Sequence, residues 1–154
     1  MYLFDTNIFY SFASFYPENF PSFWIKMDQL VITKNLISVR EVYKELMKNC
    51  PEKHLEDWVK THKEIFIIPN EKELKFLLKL MKTEENRNLV KKNNIIKGLP
   101  VADPFIITVA KHRKAIVVTR ESIHPGARIP YICSKENIGC CSLKEFFKKE
   151  NIKF

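Results

Sequence analysis

Short apolar runs alternate with amphipathic segments along the length of the chain. The clearest run is Ile116 to Val118, because β-branched residues favour strands and polar residues follow it directly. Apolar residues at helical spacing recur between the runs, for example from Val39 to Leu46. Alternating strands and helices fold into a parallel sheet that is covered by helices on both faces. We therefore predict a single-domain, three-layer α/β/α fold with a central parallel sheet over residues 1–154.

The bounds of the elements follow from these runs and from capping residues. The predicted strands are residues 2–4, 37–38, 65–68, 115–119 and 139–141. The predicted helices are residues 8–15, 22–30, 39–47, 51–63, two within 71–97, 103–112, 131–137 and 143–149. Asp103 followed by Pro104 predicts an N-cap and a first helical position, and Ser142 predicts the cap of the last helix. The apolar run 65–68 predicts a strand that is buried on both faces of the sheet.

Composition excludes several classes of protein. The chain has only three Gly residues and no Gly-rich phosphate-binding string, which disfavours Rossmann dinucleotide binding and P-loop chemistry. It carries 26 Lys or Arg against 18 Asp or Glu, so a polyanionic partner is favoured over a cationic one. Half of this excess lies in residues 71–97, where eight Lys or Arg face four Glu. With no apolar run of membrane-spanning length and no leader-like N-terminus, we expect a cytoplasmic protein without a membrane partner.

Acidic residues follow the predicted strands. Asp5 comes directly after the first strand, and Glu121 comes two residues after the strand that ends at Thr119. In open parallel sheets the functional crevice lies beyond the carboxyl ends of the strands, so both acids are expected there. The helix after the second strand carries Glu41 and Glu45 on one face, and either of them is placed to reach the same crevice.

Carboxylates gathered in one crevice repel each other unless a cation neutralises them. Ligands that are all oxygen atoms select a hard ion such as Mg²⁺ or Mn²⁺, and such an ion supports phosphodiester hydrolysis. Structural roles compete with this interpretation: Asp5 and Asp103 are good helix caps, Glu41 suits a first helical turn, and most Glu residues are surface groups. A zinc site at Cys133, Cys140 and His124 is a further alternative to plain core cysteines.

Four segments together resemble the acidic motifs of PIN domains. They are Leu3-Phe4-Asp5-Thr6-Asn7-Ile8-Phe9, Ile37-Ser38 followed by Glu45-Leu46, Val101-Ala102-Asp103-Pro104-Phe105-Ile106-Ile107, and Ile116-Val117-Val118-Thr119-Arg120-Glu121. Their order and spacing match over nearly the whole chain. Among PIN proteins, the chain is similar to the small prokaryotic VapC-type toxin ribonucleases.

The resemblance implies an endoribonuclease that depends on Mg²⁺ or Mn²⁺, often dimeric and often held inactive by a cognate antitoxin. The acidic quartet that it implies, as catalytic and metal-binding residues, is Asp5, Glu45, Asp103 and Glu121. Asp5 and Asp103 are expected to hold the principal metal, while the two Glu residues complete the cluster or bind a second ion. Glu121 departs from the Asp that is commoner at the fourth position, and its longer arm reaches metal directly or through water.

The resemblance also implies supporting residues. Asn7 and Thr119 are expected to hold the quartet by hydrogen bonds, and Ser38 is expected to help orient the second acid. Glu41 is the alternative second acid, but the following Leu46 matches the Glu-Leu pair of the family and favours Glu45.

Two other functions are compatible with the same residues. A catalytically inactive PIN-like module that binds RNA or a protein partner would keep the basic surface and need no metal. A phosphatase of the haloacid dehalogenase class would need an acid at position 7, where this chain has Asn7.

Overall fold

Five short parallel strands pair into one sheet in the computed structural model, which describes residues 1–82, 101–123 and 129–152. The strands are β1 (Tyr2–Phe4), β2 (Leu36–Val39), β3 (Phe66–Ile67), β4 (Ile116–Thr119) and β5 (Cys140–Ser142). Their order across the sheet is β3-β2-β1-β4-β5, with Leu3 in register with Ile37 on one side and Val117 on the other. The predicted parallel sheet is therefore confirmed.

Eight α-helices connect or follow these strands within the described residues. They are α1 (Thr6–Phe12), α2 (Pro21–Ile32), α3 (Arg40–Asn49), α4 (Lys53–Thr61), α5 (Glu71–Leu80), α6 (Asp103–Arg113), α7 (Ile129–Lys135) and α8 (Leu143–Lys149). A 3₁₀ turn at Lys63–Ile65 precedes β3. The helix α8 has the predicted bounds, and Ser142 caps it through a reciprocal pair of hydrogen bonds with Glu145. Among the described residues, no helix is both long and apolar enough to span a membrane.

The helices lie in layers on the two faces of the sheet. The chain moves outward from β1 to β2 and β3, then crosses back to β4 and continues to β5, so right-handed connections place helices on opposite faces. On one face, the ring of Phe4 contacts Phe12 of α1 and Phe146 of α8 at centroid distances of 5.8 and 5.0 Å. On the other face, α6 packs against α5 and α7. This arrangement confirms the predicted three-layer architecture.

One prediction about the apolar pattern is wrong. Strand β3 has only two residues and lies at the edge of the sheet, and Ile68 beyond it is 61% exposed, so the run 65–68 is not buried on both faces. In α5, Leu74 and Leu78 are exposed, while Glu73 is buried. Glu73 is buried because its carboxylate accepts hydrogen bonds from the Asn70 N–H and from the Arg113 guanidinium. The second of the two helices predicted within 71–97, around Leu89 and Val90, and the basic stretch from residue 83 onward lie outside the described residues.

Candidate functional site

The chain reverses its direction of travel across the sheet between β1 and β4. The connection after β1 runs towards β2, whereas the connection after β4 runs towards β5, and this divergence opens a crevice at the carboxyl ends of the two strands. Asp5 follows β1 at this point, and its backbone N–H donates to the carbonyl of Val118 in β4 at 3.1 Å. Asp5 therefore lies at the topological switch point, where parallel α/β sheets bind their ligands.

Asp5 is a buried carboxylate, with only 3% of its surface exposed. Its Oδ2 accepts hydrogen bonds from the hydroxyl of Thr119 at 2.8 Å and from the amide of Asn7 at 3.3 Å. Burial raises the pKa of Asp5, the Thr119 bond opposes this, and the negative charge of Glu121 raises the pKa further. Asp5 occupies the N-cap position of α1 but makes no side-chain capping bond, so the capping role does not explain it.

Glu45 reaches the same crevice from α3. Its Oε2 accepts a hydrogen bond from the hydroxyl of Thr6 at 2.5 Å. Burial raises the pKa of Glu45, and so does the charge of Asp5, while hydrogen bonds from Thr6 and from the backbone N–H of Ala102 lower it. Glu45 thus interacts both with Asp5 and with the start of α6.

Asp103 is the first residue of α6 and is partly exposed. The N-cap position falls on Ala102, one residue earlier than predicted, and Pro104 is the second helical residue. Because α6 leads back into the parallel strand β4, its N-terminus lies at the carboxyl edge of the sheet. Glu45 accepts a hydrogen bond from the backbone N–H of Ala102, the residue that precedes Asp103 in the chain.

Glu121 lies beyond the end of β4, on the other side of Asp5. Its backbone N–H donates to the hydroxyl of Thr119 at 3.2 Å. One carboxylate oxygen, Oε2, accepts a hydrogen bond from the backbone N–H of Ile129 at 2.9 Å, at the start of α7. Glu121 therefore acts electrostatically on Asp5 while one of its two oxygens is bound to a helix terminus.

The two candidates for the second acid have different partners. The Oε1 atom of Glu41 accepts bonds from Nε and Nη2 of Arg40 at 3.2 and 3.0 Å. Its Oε2 atom is buried and has no hydrogen-bond partner in the described part of the chain. The charge of Glu41 raises the pKa of Glu45, whereas it is Glu45 that interacts with Asp5. The geometry thus brings Glu45 to Asp5 and pairs Glu41 with Arg40.

The three supporting residues have different hydrogen-bond partners. Thr119 and Asn7 bind Asp5 as expected. The buried hydroxyl of Ser38 instead donates to the backbone carbonyl of Phe4 at 2.8 Å, so it ties β2 to β1 and does not orient an acid. Thr6, which binds Glu45, was not predicted; the only signal for it is its place in the Asp-Thr-Asn sequence after the first strand.

The donor chemistry of this site fits a hard divalent cation. All four acids offer oxygen atoms, and the raised pKa values of Asp5 and Glu45 show that their negative charges lack full compensation. Over residues 1–82, 101–123 and 129–152, however, no three His, Cys, Asp or Glu side chains form a group spaced to hold a metal ion. Asp5 interacts electrostatically with Glu45 and with Glu121. Of the residues in the zinc alternative, His124 lies outside the described residues, and the Cys133 and Cys140 thiols hydrogen-bond to each other.

These features define an α/β protein with a parallel sheet and a crevice of carboxylates at its switch point. By comparison with known families, the chain belongs to the DUF4411 family, described as a domain of unknown function, which matches residues 2–154. No curated protein and no solved structure matches the chain.

Proposed function

We propose that the chain is a PIN-like endoribonuclease that uses Mg²⁺ or Mn²⁺ to hydrolyse RNA phosphodiester bonds. The observation that carries the proposal is the state of Asp5: it is buried at the switch point, held by Thr119 and Asn7, and repelled by two other acids. A carboxylate in this environment is stabilised by a cation that binds it. The resemblance of the four acidic segments to PIN motifs supports the same function.

The proposed ligands are Asp5 and Asp103 for the principal ion, with Glu45 and Glu121 completing the cluster or holding a second ion. A bound divalent cation lowers the pKa of a water molecule and neutralises phosphate oxygens. The chain contributes the orientation of its acids: Thr119 and Asn7 hold Asp5, and Thr6 with the Ala102 N–H holds Glu45. The expected products carry a 3′-hydroxyl and a 5′-phosphate.

Exposed arginines at the same edge of the sheet support a polyanionic substrate. Arg40 follows β2 directly, and its side chain is 45% exposed beside its Glu41 partner. Arg120 follows β4 and is exposed, with one guanidinium N–H directed to the hydroxyl of Ser11 at 3.4 Å. Both residues follow strands at the carboxyl edge where Asp5 also lies, and the net charge of +8 favours RNA over a neutral substrate.

The test is cleavage of a panel of end-labelled structured RNAs with Mn²⁺ or Mg²⁺. We expect the wild-type protein to cleave and the Asp5→Asn and Asp103→Asn variants to lose cleavage while keeping their fold. Asp57→Asn is the matched control, because it makes the same chemical change on an exposed part of α4, where Asp57 pairs with Lys53. Cleavage by Asp5→Asn at the wild-type rate would overturn the assignment, and RNA binding that persists in EDTA without cleavage would favour the inactive binding module.

The proposal extends to a toxin that acts in the cytoplasm, where it would meet its RNA target and a cognate antitoxin, and to assembly of the toxin as a homodimer. Expression of the wild-type chain should arrest growth, and Asp5→Asn should not. A small DNA-binding protein encoded beside this chain should relieve the arrest and co-purify with it. Equal growth arrest by the wild-type chain and by Asp5→Asn would refute the toxin role. The nuclease assay would then decide the activity separately.

A further inference from the structure

Two cysteines lie close together where α7 packs against β5. Cys140 begins β5 and is in register with Val117, which in turn pairs with Leu3, so all three side chains lie on the same face. This face is the one covered by α6 and α7, and α7 carries Cys133. The thiols of Cys133 and Cys140 form a hydrogen bond with each other.

The two thiols differ in their access to solvent. Cys133 is fully buried, whereas Cys140 is half-buried and lines an open cavity of about 480 Å³. Thr119 and Glu121 line the same cavity, so it adjoins the acidic crevice. Cys141 also lines the cavity but is buried, so a small reagent that enters the cavity meets Cys140 before the fully buried Cys133.

We propose that Cys140 and Cys133 are a modification site at which a hydroperoxide converts two thiols into a reversible disulfide. In the first step the Cys140 thiolate attacks one peroxide oxygen: an S–O bond forms, the O–O bond breaks, and the leaving oxygen takes a proton. In the second step the Cys133 sulfur attacks the Cys140 sulfenic acid: the S–S bond forms, the S–O bond breaks, and water leaves with the Cys133 proton. The two thiols lose two electrons in total, and hydrogen peroxide is reduced to two water molecules.

The electrostatics of the pair agree with this order of attack. The hydrogen bond from Cys133 lowers the pKa of Cys140, although burial and the charges of Glu145, Asp5 and Glu121 oppose this. The same hydrogen bond, and then burial, raise the pKa of Cys133. Because Cys140 lines the cavity and Cys133 is fully buried, Cys140 is the thiol that attacks the peroxide, and Cys133 acts in the second step.

The site is coupled to the acidic crevice through α7. This helix begins at Ile129, whose N–H binds the carboxylate of Glu121, and it also carries Cys133. A disulfide to Cys140 would fix α7 to β5 beside Glu121. The modification itself does not depend on the proposed nuclease activity.

The test is treatment of the purified, folded chain with hydrogen peroxide, followed by alkylation under denaturing conditions and peptide mass spectrometry. Of the four thiols in the chain, we expect two to be lost to alkylation, a peptide pair joined through Cys133 and Cys140 to form, and dithiothreitol to reverse both changes. Cys50 is the internal control: burial raises the pKa of its thiol, and it should remain alkylated. A Cys141→Ser variant should give the same linked pair, which excludes the neighbouring thiol.

Two variants separate the roles of the thiols. Cys133→Ala should accumulate a sulfenic acid on Cys140 that dimedone traps, because the resolving thiol is gone. Cys140→Ala should leave Cys133 unoxidised, because Cys133 is fully buried. Full alkylation of both cysteines after peroxide treatment of the wild-type chain, or oxidation of Cys50 in preference to them, would overturn the proposal.

Discussion

The hydroxyl of Thr119 connects Asp5 to Glu121, and its removal tests whether this connection holds the site together. In Thr119→Val the side chain keeps its shape and its preference for a strand, so the change removes the hydroxyl alone. Two hydrogen bonds are lost: the 2.8 Å bond that Thr119 donates to Asp5 and the 3.2 Å bond that it accepts from the Glu121 N–H.

The expected loss of stability follows from the type of each hydrogen bond. A hydrogen bond to a charged, buried carboxylate contributes about 1.5–3 kcal/mol, and a bond between neutral groups contributes about 0.5–1.5 kcal/mol. Thr119→Val should therefore lower the free energy of unfolding by about 2–4 kcal/mol, and the melting temperature by roughly 10 °C for a chain of this size. Because the Thr119 bond lowers the pKa of Asp5, the variant should raise this pKa further, and the penalty should grow as the pH rises through the raised value.

Thr108→Val is the matched control for this experiment. Thr108 is fully buried in α6, and its hydroxyl has no hydrogen-bond partner in the part of the chain that the structure describes. The same substitution there loses no bond and removes an unpaired polar group, so stability should stay unchanged or rise by about 1 kcal/mol. Urea unfolding, followed by the fluorescence of Trp24 and Trp58 at several pH values, measures both variants. Equal effects of the two substitutions, or a pH-independent penalty for Thr119→Val, would refute the reasoning.

Two further substitutions test other parts of the fold. In EDTA, the free energy of unfolding of Asp5→Asn should equal that of the wild-type chain or exceed it by about 0.5–2 kcal/mol. A calorimetric scan checks this, and a clear loss of stability would contradict the repulsion described above. The gain should shrink as the pH falls, because a carboxyl with a raised pKa is protonated in the folded wild-type chain at low pH. Phe146→Ala should cost about 3–5 kcal/mol in urea unfolding, because the fully buried ring packs against Tyr2 and Phe4; a cost below about 1 kcal/mol would show that α8 is not part of the core.

Strong local signals were sufficient to predict most of the fold. The β-branched run before Thr119 and the capping sequence at Ser142 specify their elements within a few residues, so β4 and α8 were placed correctly. The length and burial of the edge strand β3 were overestimated, because an apolar run does not indicate whether a strand is central or lies at an edge. The burial of Glu73 was missed because its partner Arg113 lies 40 residues away, and no local pattern reveals a long-range ion pair.

The site was predictable to the extent that the sheet alone determines it. Acids that follow parallel strands meet at one edge, and this predicts that Asp5, Glu121 and either Glu41 or Glu45 lie near each other; the resemblance then favours Glu45, which the structure brings to Asp5. Contacts that depend on side-chain reach were not predictable. The bond from Thr6 to Glu45 depends on the packing of α3 against α1, and the pairing of Glu41 with the neighbouring Arg40 depends on their side-chain rotamers; a one-dimensional pattern contains neither.

Two buried carboxylates of this chain differ in how their negative charge is compensated. Glu73 is as buried as Asp5, but the Arg113 guanidinium and the Asn70 N–H hold its pKa below the ordinary range despite burial. Its charge therefore stabilises the fold above the pKa of the unfolded chain, and this contribution is lost as the pH falls through the folded value. Asp5 makes no ion pair with any described residue, makes no capping bond and has a raised pKa, so its charge works against folding at neutral pH. The contrast supports the proposal that Asp5 binds a cation: Glu73 is neutralised within the fold, whereas the charge of Asp5 at the switch point lacks full compensation.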